Sequence, residues 1–346
     1  MARSKTDSFI LELKLKASPA DGQYLEACFA AGARTYNTMV RYCRRQIASL
    51  RQDKAYRGLL ETYRSLKKGK RKTEVSRQLS EIVTSYGLTE YGLHGFVKVQ
   101  QHRYKKYINS LVAQKIASSV WKGVEKVLYG NGKQLHFRKY MDFTSLEGKN
   151  NGTGIVFHKN VLTVNGHPIQ VQRHKKDGSP QRKYEEEALT HRTKYCRLVR
   201  KPVGGTFHYY VQLVLEGRPP RKGRTLGKGD SGLDIGTSTV AVVNRQECIL
   251  TVIAGETASI EKEKRRIQRR MDRSRRAMNP VYYNPDGTIK KGRKKWAKSK
   301  QYRRLEMKYA SLCRKRAAAL KQWQEAMANR IVAACDTLYT ETMNFQ

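Results

Sequence analysis

The apolar period of this chain changes repeatedly, and that constrains the fold more than any single motif. "FILELKLKA" alternates, with Phe9, Leu11, Leu13 and Leu15 on one face, the pattern of a half-buried strand. The period then turns helical, with Leu25, Phe29, Tyr36, Met39, Cys43, Ile47 and Leu50 recurring through residue 50. A second helical region is expected over about 54–85, interrupted by the basic run "RSLKKGKRKT" as a solvated loop. A third helix is expected from about 92 to 129, with Phe96, Tyr104, Tyr107, Leu111, Val120, Val124 and Val127 along one side. From 133 the period returns to two. "GIVFHKNVLTVNG" predicts a hairpin, "PIQVQRH" a short strand, and "TFHYYVQLVLEG" a longer one with Phe207, Tyr209, Val211, Leu213 and Leu215 inward. Short strands with polar turns suit a small β-barrel or sandwich. Strand 8–16 is most simply part of that same sheet, with residues 20–130 an α-helical insertion.

A Pro/Gly/basic linker, "GRPPRKGRTLGKGDS", marks a boundary at 217–231. Beyond it, a strand is expected at 232–244 and a second at "ECILTVIAG". A very basic helix, a turn at "NPDGT", a long helix over about 298–334 and a final strand "TLYTETMNF" follow. The long helix should bury Leu305, Tyr309, Leu312, Leu320, Trp323, Met327 and Ile331. The strand "GLDIGTSTVAVV" carries one carboxylate, Asp234, and a buried unpaired carboxylate is costly. Asp234 is therefore a satisfied turn residue or a group held for chemistry. Glu341 repeats the oddity in "LYTETMNF". Two carboxylates on neighbouring strands of one mixed sheet begin a Mg²⁺ site, since hard cations take carboxylate oxygens and retain water. Such ions can clamp the attacking and leaving oxygens of a phosphodiester displacement. The arrangement is that of an RNase H-like nuclease core.

Charge favours the same direction. Lys plus Arg number 70 against 29 Asp plus Glu, a formal charge of +41. A field of that size calls for a polyanion, and nucleic acid is the obvious one. Hydrophobic residues make up 39% of the chain, enough for a real core. No apolar run reaches a transmembrane length, the N-terminus has no signal-peptide core, and no membrane partner is expected. The six scattered cysteines form no C-x-x-C pair, so neither a disulfide frame nor a zinc site is expected within the chain. The implied location is intracellular and cytoplasmic. On the basic helix, Arg265, Arg266, Arg269, Arg270, Arg273 and Arg276 recur at one- to four-residue steps and point to phosphate contacts, as do Lys294 and Lys295 further on. Tyr104, Tyr107, Trp121, Trp296 and Trp323 fit core packing, with nucleic-acid contact the alternative for Trp296, which lies among lysines. His94, His136, His167 and His191 show no ligand spacing. "LDIGTSTVAVV" also looks like the first phosphate loop of actin, sugar-kinase and Hsp70-type ATPases, where backbone N–H groups make an anion nest. Its place at residue 232, with no second loop after it, makes that the remote alternative.

The sequence resembles the TnpB (OrfB) proteins of bacterial insertion sequences, relatives of the type V CRISPR effectors, over essentially the whole chain. "LHFRKYMDFTSLEGKNNGTGIVF" is similar to the family's Phe…Ser-Leu-Glu-Gly-Lys segment. "GDSGLDIGTSTVAVV" is similar to its first RuvC motif, with Asp234 at the catalytic aspartate. "RRMDRSRRAMNPVYYNPDGTIKKGRKKWAKSKQYRRL" is similar to the Arg-rich stretch that follows, and "DTLYTETMNF" to the second RuvC motif, with Glu341 at the catalytic glutamate. The resemblance implies an α+β multidomain chain. A wedge-type β-barrel (1–18 with 133–225) is split by a helical recognition domain (19–132). The N-terminal part of a RuvC-like nuclease domain (229–346) follows. The family continues with a four-cysteine zinc ribbon and a third acid, neither of which lies within these residues, so a fragment or a natural truncation is expected. The resemblance also implies a guide RNA, target DNA beside a short motif, and Mg²⁺-dependent cleavage by a RuvC-type endonuclease. A nucleic-acid-binding protein without cleavage is the alternative.

Overall fold

The strand expected at the start of the chain is β1 (Ser8–Leu15), and its burial alternates as its sequence does. In the computed structural model, which describes residues 6–174, 176–220 and 227–342, β1 leads directly into a 34-residue helix, α1 (Pro19–Gln52). The switch is set by a capping box. Ser18 accepts from the Asp21 N–H and Asp21 accepts from the Ser18 N–H, with Pro19 in the first turn. Asp53 ends α1 and caps α2 (Lys54–Ser65) through the Tyr56 N–H at 3.0 Å. Glycine at position 69 precedes α3 (Lys70–Ser85), so the basic run spans the end of α2, a short connection and the first turn of α3. The single helix expected over 92–129 is two, α4 (Glu90–Arg103) and α5 (Ser110–Tyr129). The break comes where Asn109 accepts from the Val112 N–H, restarting the helix, while Tyr104 and Tyr107 still pack on the core.

Seven strands form one antiparallel-rich sheet, which belongs to this first unit except at the β6–β7 tip, residues 202–206. They are β1, β2 (Ser145–Glu147), β3 (Ile155–His158), β4 (Val161–Val164), β5 (His167–Gln172), β6 (Thr193–Val203) and β7 (Thr206–Glu216), in the order β2-β6-β7-β1-β5-β4-β3. A helix, α6 (Pro180–Ala188), precedes β6. As expected, β1 belongs to this sheet despite the helical insertion. It pairs antiparallel with β7 and β5. Turns are set locally, with Lys159 and Asn160, then Asn165 and Gly166, at positive φ as two-residue hairpin turns demand. One continuous apolar cluster joins β1, α1, α4, α5 and the sheet. Two strands escape the reading of alternation: β2, which is only three residues long, and β6, because one inward position is Arg200. Its buried guanidinium pairs with Glu26, donates to the Tyr140 carbonyl, and lies 4.2 Å from the ring centres of both Tyr140 and Phe207. Tyr209 donates to the other Glu26 oxygen at 2.9 Å.

The second unit comprises residues 202–206 and the described residues from 227. Its sheet contains β8 (Asp230–Ile235), β9 (Thr239–Asn244), β10 (Cys248–Val252) and β11 (Thr337–Thr340), in the order β10-β9-β8-β11. The strand expected over 232–244 is a hairpin, β8–β9, turned at Gly236, whose N–H donates to the Thr239 carbonyl at 2.9 Å. β10 is antiparallel to β9, and β11 is parallel to β8. Two helices, α7 (Ala258–Met278) and α8 (Lys300–Ala334), pack through Ile260, Ile267 and Met271 against Leu305, Tyr309 and Leu312. The buried face expected along all of α8 extends only through its first half; Leu320, Trp323, Met327 and Ile331 are half-buried. Positions 343–345 of the expected last strand, and 221–226 of the expected linker, lie outside the described residues.

Candidate functional site

Register brings the two strand carboxylates together. β11 pairs parallel with β8 as Tyr339 with Gly232 and Thr340 with Leu233. Glu341 is the residue after the end of β11, so it emerges at the carboxyl end of this strand pair, where Asp234 of β8 also lies. Asp234 and Glu341 line one open pocket of about 380 Å³ with Gly232, Ala241, Val243 and Tyr339. Both are exposed, which answers the question of a costly buried acid: Asp234 is not buried. It does not satisfy the turn either. Neither carboxylate has a hydrogen-bond or ion-pair partner among the described residues. No third Asp, Glu, His or Cys joins them in a cluster among the described residues. Two uncommitted carboxylates without nitrogen or sulfur donors suit a hard divalent cation, because Mg²⁺ is commonly held by one or two carboxylates, with water and phosphate completing its shell.

The arginines of α7 share a face. At about 100° per residue, Arg265, Arg276, Arg269, Arg273, Arg266 and Arg270 fall within an arc of about 140°. Ile260, Ile267 and Met271 lie opposite and hold α7 against α8. All six arginines are exposed, and all but Arg276 are without an acid partner among the described residues. Arg276 pairs with Asp272 at 3.0 Å. Arg275 instead turns inward, donating to Tyr283 at 3.1 Å and covering Trp296 at 5.3 Å. Trp296 also packs edge-on against Tyr282, so it belongs to the loop's own packing. Lys295 is exposed, whereas Lys294 folds its ammonium back onto the carbonyls of Lys290 and Gly292.

The histidines serve local contacts. His167 pairs with Asp21 at 2.7 Å and stacks on Tyr24, and His191 bonds the Glu216 carbonyl at 2.8 Å. The basic and aromatic residues along α1 and the segment before β2 were not singled out as a surface from sequence. There Arg44 covers Phe137 at 5.2 Å and Arg138 covers Tyr36 at 4.3 Å. The signal was the "LHFRK" stretch itself, whose partners on α1 lie about a hundred residues earlier. No helix among the described residues is long and apolar enough to cross a membrane.

No protein-family model matches the sequence. No curated protein matches it either. Among solved structures, the chain is similar to that of a Cas12f1–sgRNA–target DNA complex, with 11% identity, TM-score 0.42, and coverage of 98% of this chain and 81% of the other. It is also similar to that of a CRISPR-Cas12f ternary complex, with 14% identity, TM-score 0.32, and coverage of 92% of this chain and 62% of the other. Likeness at these scores assigns neither fold nor function.

Proposed function

We propose that this chain is an RNA-guided DNA endonuclease of the TnpB type, with Asp234 and Glu341 as the metal-holding carboxylates of a RuvC-like site. The observation that supports the reading is the parallel pairing of β8 with β11, with unpaired Asp234 on β8 and unpaired Glu341 just past β11 lining one open pocket of a mixed sheet. Bound there, a divalent cation would supply Lewis-acid stabilisation of a phosphodiester oxygen. The protein's own part is to hold the two carboxylates on rigid strands and to hold the polyanion nearby. The exposed arginines of α7 are the groups for the second task, since guanidinium forks onto phosphate oxygens. The partners in this reading are a guide RNA and target DNA. The second reading, an RNA- and DNA-binding protein without cleavage, draws on the observation that no third acid joins these two among the described residues.

Plasmid cleavage in Mg²⁺ by the protein purified with the RNA it captures tests the reading. Asp234→Ala and Glu341→Ala are each expected to reduce cutting to background while leaving RNA affinity unchanged. An Asp234→Ala protein that still cuts ends the nuclease-site assignment, and a wild-type protein that binds RNA but never cuts selects the second reading. Salt titration tests the arginine face separately. Each neutralised phosphate contributes a slope of about −0.9 in log K against log salt for duplex and about −0.7 for single strands. Arg265→Gln/Arg269→Gln/Arg273→Gln should therefore flatten the slope by about two or three. An unchanged slope places the nucleic acid elsewhere.

A further inference from the structure

A cavity where α1, α5 and β2 meet plays no part in the site above. It holds about 250 Å³. That is roughly eight waters' share of liquid volume, enough for one planar base and part of its sugar. Its apolar wall is the pair Tyr36 and Phe143, both buried, with ring centres 6.3 Å apart. At one side the Glu147 carboxylate binds Lys115 at 2.7 Å and Arg197 at 2.8 Å. Burial would push the Glu147 carboxyl up, but Lys115 and Arg197 outweigh it and hold the group below the usual carboxylate range. Its remaining lone pairs accept only.

Lys122 and Arg138 complete the lining, and neither has an acid partner among the described residues. Arg138 is fixed in advance. Its N–H donates to Asn37 at 2.9 Å, the Asn37 amide donates back to its carbonyl at 2.8 Å, and its guanidinium lies over Tyr36. Ser119 and Ser145 add two hydroxyls with no partner among the described residues. An aromatic wall, two uncommitted cations, a fixed acceptor and free hydroxyls meet in one hollow. That set matches the parts of a nucleotide: a ring, a phosphate, and a base edge with donors and acceptors. A plain water-filled gap has no need of a guanidinium held over a ring.

We propose that this cavity receives one unstacked nucleotide of a bound nucleic-acid strand. Its phosphate meets Arg138 and Lys122 at the mouth, and its base lies along Tyr36 and Phe143 with its edge toward Glu147, Ser119 and Ser145. The inference rests on the nucleic-acid part of the reading above and not on cleavage.

Saturation-transfer NMR on the intact protein with the common ribo- and deoxyribonucleoside 5′-monophosphates tests it, and the two sugar series separate an RNA strand from a DNA strand. At least one monophosphate should bind saturably. Lys122→Gln/Arg138→Gln should weaken it by about tenfold or more, the loss expected on removing charge-assisted hydrogen bonds. Ser119→Trp, which fills the hollow, should abolish binding, and Ser119→Ala/Ser145→Ala should alter the preference among bases. If Ser119→Trp fails to fold, the exposed-cation variant decides alone. Absence of saturable binding to every monophosphate, or unchanged binding after the cations are removed, overturns the proposal. Plasmid cleavage by these variants reports on Asp234 and Glu341 instead, so the two failures are distinguishable.

Discussion

The two units of the chain spend their apolar residues differently. In the first, Leu11, Leu13 and Leu15 of β1 meet Val211, Leu213 and Leu215 of β7 in a core that continues unbroken into α1, α4 and α5. In the second, the apolar cluster between α7 and α8 has only Ile267, Leu305 and Leu312 buried among the described residues. One face of its sheet carries the buried Val240 and Val242. The other carries Val243 at 50% exposure, Leu250 at 73%, Val252 at 57% and Tyr339 at 63%, around Asp234. Hydrophobic burial contributes about 25 cal/mol per Å², so the first unit has by far the larger source of stability. The second adds mutual repulsion among the exposed arginines of α7. The proposed chemistry therefore sits in the unit with less to hold it, and the proposed nucleotide hollow sits in the one with the larger core.

The comparison breaks most sharply at Glu26. Removing it leaves the fully buried Arg200 uncompensated, and breaking a buried pair in this way costs about 3–5 kcal/mol. Glu26→Ala should therefore lower hydrogen-exchange protection in α1, β6 and β7 by an amount of that order. Protection of α7 and β8–β9 should stay as in the wild type. If both units lose protection together, they unfold as one body and the contrast between them fails.

The legible parts of the fold were those where burial and period agree. β1, α1 and β7 announced themselves because nearly all their inward positions are apolar, Thr35 of α1 being the exception. β6 did not, because Arg200 occupies an inward position and only its aromatic surroundings and Glu26 make that tolerable. The break between α4 and α5 was hidden because Tyr104 and Tyr107 keep the helical stripe going through it while Asn109 starts a new helix. The β8–β9 hairpin was hidden because its turn, Gly236 to Ser238, is only three residues long and small side chains there let the two apolar runs read as one strand. At the site, the residue types of Asp234 and Glu341 were visible, but their alignment comes from the parallel register of β11, which no local pattern encodes. The hollow between α1, α5 and β2 was invisible for the same reason. Tyr36, Ser119, Arg138 and Glu147 come from four separate segments.

A middle-sized effect tests how far polar ties add to the first unit. Burial would push the Asp21 carboxyl up, but the His167 ring and the Ser18 hydroxyl and N–H hold it below its ordinary range. A carboxylate depressed on folding adds stability above its unfolded pKa, about 3.9, and loses it as pH falls through the lower folded value. Asp21→Ala also removes half of the capping box. It should cost about 1 kcal/mol at neutral pH, and the gap to wild type should narrow below about pH 4. Urea midpoints of the two proteins at several pH values measure it; a gap that is constant with pH removes the ionised carboxylate from the account.

The smallest effect is the most pointed for the second unit. Leu250 lies in the edge strand β10 on the exposed face of the sheet, with Val243, Val252 and Tyr339. A large apolar side chain that stays in water contributes little to folding, and surface substitutions of this kind usually fall within about 0.5 kcal/mol. Leu250→Ser should therefore leave the urea midpoint of the second unit unchanged. The same exchange at Leu213, fully buried in β7, should remove several kcal/mol, on the order of 2–5 for the lost packing alone. Solubility should move the other way, since an exposed edge strand with apolar side chains promotes self-association. Leu250→Ser should stay monodisperse at higher concentration than wild type in light scattering. If Leu250→Ser instead destabilises the second unit by a core-sized amount, that face is covered in solution, and the contrast drawn between a filled unit and a bare one is wrong.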